Sequence, residues 1–241
     1  MYYESINNKK IKFLNQLKLK KYRDREGMFL VETENLVKEA YNNGYLKELY
    51  VREGININLD VETHYISDNV VKYLSDVKSS TGIFGLCNMK KMNLKEGRIL
   101  VLDSVQDPGN MGTIIRSACA FNIDTIVIND KCADIYSSKV VRSSEGMIFN
   151  MNIIKCDLVD FINNIKKSHK VYGTNVNGGK SLKNVKKNEK FVIIVGNEGN
   201  GVSDILLNLA DEFLYIPISG KCESLNVSVA TGIILYELGG E

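Results

Sequence analysis

Histidine is nearly absent from the 241 residues: His64 and His169 are the only two, far apart and outside every motif that follows. Histidine general-base chemistry and a histidine metal centre are therefore not expected. The five cysteines, Cys87, Cys119, Cys132, Cys156 and Cys222, are odd in number and scattered, and none stands in a Cys-x-x-Cys pair. A disulfide framework and a zinc site are not expected from that pattern, and reduced thiols are. No apolar run approaches a membrane span, and Met1 to Leu30 lacks the apolar core of a secretory signal, so a cytoplasmic protein with no membrane and no metal is the expectation. Internal repeats and low-complexity tracts are also missing. Gly178-Gly-Lys-Ser181 would complete a phosphate-binding loop only with glycine at 174, where the chain has Thr174.

What remains is enough for a sizeable core. With 44% hydrophobic and 25% charged residues, the chain can build one large or two modest domains. Phe191 to Val195 is short and almost wholly β-branched, the pattern of a strand covered on both faces, and such strands build parallel sheets. It runs into Gly196-Asn-Glu-Gly-Asn-Gly201, where glycine allows positive φ and close approach to a ligand beyond the strand's carboxyl end. Two further segments share this design. Arg98 to Val105 predicts a buried strand, followed by Gln106 to Gly112, with Pro108 and Gly109 in the turn and Asn110 as N-cap, and then a helix over Thr113 to Phe121. Tyr215 to Ile218 predicts another strand, followed by a polar loop to Asn226 and an apolar helix over Val227 to Leu238. Three strand, polar-loop, helix units offering Asn110, Arg116, Glu198, Ser224 and Asn226 point to one composite site.

Asn110-x-Gly112-x-x-x-Arg116, Gly196-Asn-Glu198-x-x-Gly201 and Ser224-Leu-Asn226-Val-Ser-Val-Ala230 resemble, in this order, the three motifs of the SpoU family of RNA ribose methyltransferases in the SPOUT superfamily. The resemblance covers residues 98 to 241. It implies an α/β fold with a C-terminal, trefoil-knotted domain on a mostly parallel sheet, S-adenosylmethionine bound in the knot, and a homodimer. Ordinary connection rules argue against threading, so the knot rests on the resemblance alone. The implied reaction moves a methyl group to a ribose 2'-hydroxyl of RNA. Arg116 is the implied catalytic arginine, with Asn110, Glu198, Ser224 and Asn226 shaping the methyl-transfer site. Arginine is too basic to accept a proton readily, so holding a phosphate and stabilising the developing alkoxide suit it better; a deprotonated guanidine is the alternative. Glu198 is expected to orient Arg116 or Asn226, or else to cap neighbouring backbone N–H groups. For the cofactor the resemblance implicates Gly196, Ile216 and Leu225, with Ile218 and Thr174 as further candidates; core packing is the competing role of the apolar ones.

Charge is unevenly spread. Residues 1 to 25 hold eight Lys and Arg against Glu4 and Asp24, a net of +6, while the whole chain is only +2. Clustered cations are the footprint of phosphate binding, and Lys18, Lys20, Lys21, Arg23 and, further on, Arg142 are the RNA-binding candidates; a solvated helix face is the alternative. The pattern over residues 1–90 predicts a smaller α/β domain: strand Gly27 to Val31, helix Glu34 to Asn42, strand Leu46 to Val51, helix Val70 to Leu74 and strand Thr81 to Cys87. It resembles, more loosely, the ribosomal-protein-like substrate-binding domain that precedes SpoU catalytic domains. Residues 91–97 form the polar linker and residues 98–241 the catalytic domain. A separate RNA-binding domain favours ribosomal RNA, recognised by shape, over transfer RNA. A noncatalytic RNA-binding or ribosome-assembly factor on the same fold is the reading from another class, and the presence of all five polar site residues argues against it. The nucleotide modified, and whether the role is housekeeping or antibiotic resistance, are not encoded in these patterns.

Overall fold

The strand expected at Phe191–Val195 forms and is buried along its whole length. The computed structural model describes residues 1–77, 79–175, 178–185 and 189–239, so the last two residues of the expected catalytic range lie outside it. Two units emerge: Met1–Lys90 with Asp134–Asn150, and Lys91–Ala133 with Met151–Glu241. The segment 134–150, read from sequence as part of the catalytic range, thus packs with the first unit.

The first unit contains β1 (Tyr2–Tyr3), α1 (Lys9–Gln16), α2 (Lys20–Glu26), β2 (Met28–Glu32), α3 (Glu34–Asn42), β3 (Leu46–Arg52), β4 (Glu62–Ile66), α4 (Asp68–Leu74) and β5 (Ile83–Asn88). Its mixed sheet has the order β1-β4-β3-β5-β2, with β5 antiparallel to both neighbours. Apolar residues of one face, Tyr50, Ile66, Phe84 and Leu86, pack with Ile11 and Leu14 of α1 and Val70 and Leu74 of α4. On the other face Val37 of α3 lies over Gly85 and Val31. Gly27 ends α2 in the left-handed conformation, so β2 starts one residue later than expected.

The second unit contributes β6 (Arg98–Leu102), α5 (Pro108–Ala120) and β7 (Thr125–Ile128) before the chain returns to the first unit with α6 (Ser138–Ser143). There Tyr136 and Phe149 pack on Phe29, with ring centroids 4.6 and 6.2 Å away. The second unit resumes with β8 (Ile153–Lys155), α7 (Leu158–Ile165), β9 (Lys170–Thr174), β10 (Lys180–Ser181), β11 (Phe191–Val195), α8 (Asp204–Leu207), β12 (Glu212–Tyr215) and α9 (Val227–Gly239). All pairings in its sheet, β10-β12-β9-β11-β6-β7-β8, are parallel. Ile99, Val101, Val192 and Ile194 of the central strands meet Leu158 and Ile162 of α7 and Leu206 of α8 in one core. Burial on both faces is why β6 and β11 read as unbroken apolar runs.

Two expected boundaries move next to the motif residues. Residues 108 to 112 are not a loop: α5 begins at Pro108, because proline presets helical φ in the first turn and Asp107 caps it, accepting from the Asn110 amide at 2.8 Å. Asn110 is therefore not the N-cap but projects from the helix's first turn. The strand expected at Tyr215–Ile218 instead ends at Tyr215, which leaves Ile216 and Ile218 in the loop beyond it.

Candidate active site

The carboxyl ends of β11 and β6 lie side by side, with Val195 opposite Leu102, and bring the first two motifs together. Just past β11 the backbone turns back on itself, with Asn197 and Gly201 exchanging N–H···O bonds of 2.8 and 3.0 Å. A Cβ on Gly196 would lie 2.0 Å from the Gly201 carbonyl carbon, so no side chain fits without displacing backbone. Asn197 locks the turn from within: its Oδ1 accepts from the Gly199 amide at 2.8 Å and its Nδ2 donates to the Ser104 carbonyl at 2.8 Å.

This turn aims Glu198 at the start of α5. Its Oε1 accepts from the Asp107 amide at 3.3 Å and Asn110 Nδ2 at 3.1 Å, and its Oε2 from the Gln106 amide and Asn197 Nδ2, both at 3.4 Å. Burial pushes the carboxyl's pKa up, but hydrogen bonds from its own amide, Asn110, Asp107 and Gln106 outweigh it and hold the group below its ordinary value. Asn110 Oδ1 in turn accepts from Asn226 Nδ2 at 3.0 Å, and Asn226 Oδ1 caps α9 by accepting from the Ser228 and Val229 amides at 2.9 and 3.3 Å. One residue from each motif thus forms a relay, Glu198 to Asn110 to Asn226. The expectation that Glu198 orients Arg116 or Asn226 directly is corrected: its side-chain partner from the first motif is Asn110, and it also takes the capping role left open as its alternative.

Beside the relay lies a cavity of about 430 Å³ lined by Thr174, Gly196, Glu198, Ile216, Ile218, Ser224 and Leu225, among others. All five cofactor candidates therefore share one cavity. Thr174 spends its hydroxyl proton on the Ile194 carbonyl at 2.9 Å. Apolar walls at Ile216, Ile218, Leu214 and Leu225, polar groups at Ser224 and Asn175, and a backbone that only glycine permits at Gly196 suit a flat heteroaromatic ring with a polar tail. Arg116 is not among the lining residues. It stands exposed on α5 and makes no hydrogen bond or ion pair among the described residues.

The basic candidates diverge. Arg23 is only 5% exposed, with one terminal nitrogen donating to the Leu17 and Lys18 carbonyls at 2.7 Å each and the other paired with Asp134. It is a structural residue, and its assignment to RNA is corrected on that ground. Lys18 is half-buried against Asp76 at 3.2 Å, Lys20 is exposed and paired with Asp24, and Lys21 is exposed with its ammonium 4.9 Å from the Tyr22 ring centre. Arg142 is half-buried in a narrow crevice that Lys18 and Arg23 share with Glu32 and Asp76. Both histidines are buried. Among the described residues no cluster suited to a metal ion is found, and no helix is long and apolar enough to cross a membrane.

Three residues outside the candidate set also have work at this site. Asp107 caps α5, Asn197 locks the glycine turn, and Asp103, 7% exposed, accepts from the Ser203 amide at 2.9 Å and Asn129 Nδ2 at 3.1 Å, tying the ends of β6 and β7 to the segment entering α8. A signal is present for two of them: Asp before Pro marks a cap, and Asn197 lies inside the glycine-rich turn, where Asn side chains close on nearby backbone amides. Nothing local marks Asp103.

Residues 97–236 match the SpoU rRNA Methylase family and residues 8–85 the MRM3-like substrate binding domain. The chain is 37% identical over 244 residues to the 23S rRNA (guanosine(2553)-2'-O)-methyltransferase RlmP of Bacillus subtilis, covering 98% of each. Among solved structures, a putative RNA methyltransferase of the TrmH family from Porphyromonas gingivalis superposes with a TM-score of 0.87 at 31% identity, over 97% of this chain and 98% of the other. An AdoMet-bound rRNA methyltransferase from Sinorhizobium meliloti gives 0.88 at 27% identity, over 99% and 97%. The larger unit has the parallel α/β sheet of the SPOUT fold, and the chain belongs to the SpoU rRNA methylase family.

Proposed function

We propose that this protein transfers a methyl group from S-adenosylmethionine to a ribose 2'-hydroxyl of RNA, with ribosomal RNA as the substrate. The single observation that carries the reading is the relay from Glu198 through Asn110 to Asn226 beside the cavity that gathers all five cofactor candidates. When bound, the cofactor supplies an electrophilic methyl group on a sulfonium. The protein's share is placement. Ile216, Ile218 and Leu225 would cover the adenine faces, while the turn at Gly196 lets backbone approach the ligand. Asn110 and Asn226, each held by two or more hydrogen bonds, give a rigid polar edge next to it, and fixed orientation is a large part of any gain in rate. Arg116 carries the charge for a phosphate or a developing alkoxide.

A homodimer is part of this reading. Val229, Ile233 and Tyr236 are 51%, 39% and 65% exposed and spaced to form one stripe along α9, which packs on the helix carrying Arg116 through Phe121 and Tyr236. Covering that stripe with a second copy would bury it. RNA would bind to the first unit through Lys20, Lys21 and Arg142, and the protein would work in the cytoplasm. Ribosomal RNA is preferred because the full-length relative acts on 23S rRNA and the N-terminal residues match a substrate-binding domain. Mapping ribose methylation across total RNA from cells with and without the gene tests this: one 2'-O-methyl mark in ribosomal RNA should vanish with the gene. Loss of a mark in transfer RNA instead would move the substrate, and an unchanged map would leave the enzyme reading without its product.

A further inference from the structure

The cofactor cavity has an unusual charge balance. Among the described residues its lining contains no lysine, arginine or histidine, and two carboxylates, Glu198 and Asp204. Glu198 is spent, because its two oxygens accept four hydrogen bonds from Gln106, Asp107, Asn110 and Asn197. Asp204 is not. It stands at the first position of α8, is exposed and is one of the residues lining the cavity, and its carboxylate makes no hydrogen bond or ion pair among the described residues. Its neighbours in the lining, Asn200, Val202 and Leu207, bring no charge.

Resting on the S-adenosylmethionine reading, we infer that Asp204 is a recognition residue for the positive charge of the cofactor's amino-acid end. S-adenosylmethionine carries a sulfonium, an ammonium and one carboxylate, a net +1. S-adenosylhomocysteine, the product, has lost the sulfonium charge and is neutral overall. Methylthioadenosine keeps adenine, ribose and a thioether but has no ammonium. A carboxylate facing these ligands attracts them in that order, and no cation among the described lining residues competes with it. Asp204 thereby favours the charged substrate over the neutral product, which lets the product leave.

The test is ligand binding by calorimetry, with no turnover involved. Asp204→Asn keeps the shape and removes the charge. Relative to wild type it should weaken S-adenosylmethionine by about tenfold and S-adenosylhomocysteine by about threefold, and leave methylthioadenosine within about twofold, the order set by ligand charge. The S-adenosylmethionine difference should shrink as salt is raised. Any loss confined to the two ligands bearing the amino-acid end supports the contact, and the excess for S-adenosylmethionine measures the sulfonium's share. Equal weakening of all three ligands, or no weakening of any, overturns it. If wild type binds none of them, the cofactor reading itself fails, which is a separable outcome.

Discussion

The two stretches that sequence made most conspicuous, the three motifs of the second unit and the basic run of the first, fare differently. The motif residues Asn110, Glu198 and Asn226 join into one hydrogen-bonded relay, although 116 positions separate the outer pair. The basic run disperses within a few residues: Lys20 and Lys21 point outward while Arg23 turns in to a sealed ion pair. Parallel strands explain the first result, since residues just past the carboxyl ends of neighbouring strands are brought together by the ladder itself. A helix explains the second. At 100° per residue it turns a continuous charge run through all of its faces, so composition alone does not tell solvent from core.

The comparison is most sharply tested at the arginine that joins no relay. Arg116→Ala should lower methyl transfer by about 10²–10³-fold while leaving S-adenosylmethionine affinity and thermal stability close to wild type, because the guanidinium is exposed and its proposed role is to act as charge develops. Near-normal single-turnover rates in a folded Arg116→Ala protein would remove it from catalysis. Arg116→Lys should also be poor, since lysine keeps the charge but loses the planar fork.

In the first unit the expected order is reversed between neighbours. Arg23→Ala removes one partner of a buried pair and strands Asp134, so it should cost about 3–5 kcal/mol in denaturant unfolding. Lys21→Ala should change stability by about 0.5 kcal/mol or less, yet weaken RNA binding and flatten its salt dependence. If Lys21→Ala leaves RNA affinity unchanged at several salt concentrations, the exposed cations revert to a solvated face.

The smallest effect concerns Glu198. Its carboxyl is held below the ordinary value of 4.5, so its hydrogen bonds stabilise the fold above that pH and the contribution disappears as pH falls through the lower folded-state value. Wild type should therefore exceed Glu198→Gln in Tm at neutral pH, with the gap closing as the pH falls below the ordinary carboxyl range. A gap that stays constant with pH would assign the loss to packing instead of charge.

Legibility followed the same division. Parallel-strand cores such as Ile99, Val101, Val192 and Ile194 announce themselves by unbroken apolar runs, and the polar motif residues lie on the loops and helices that follow such strands. Helix α5 starts five residues before the expected Thr113, because Pro108, which by itself suits a turn, starts the helix when Asp107 precedes it. The return of residues 134–150 to the first unit was invisible: Tyr136 and Phe149 pack on Phe29 more than a hundred positions away, and no local pattern records such a partner. Asp103 was missed for the same reason, its partner Ser203 lying 100 residues downstream.

The central claim is tested most directly by following the methyl group itself. Purified protein, S-adenosylmethionine labelled in its methyl group, and ribosomal RNA transcripts should give label that survives nuclease digestion as a 2'-O-methylated nucleoside, with none transferred to DNA of the same sequence, which lacks the hydroxyl. Label recovered on a base, or no transfer by protein that binds the cofactor and the RNA, would contradict it.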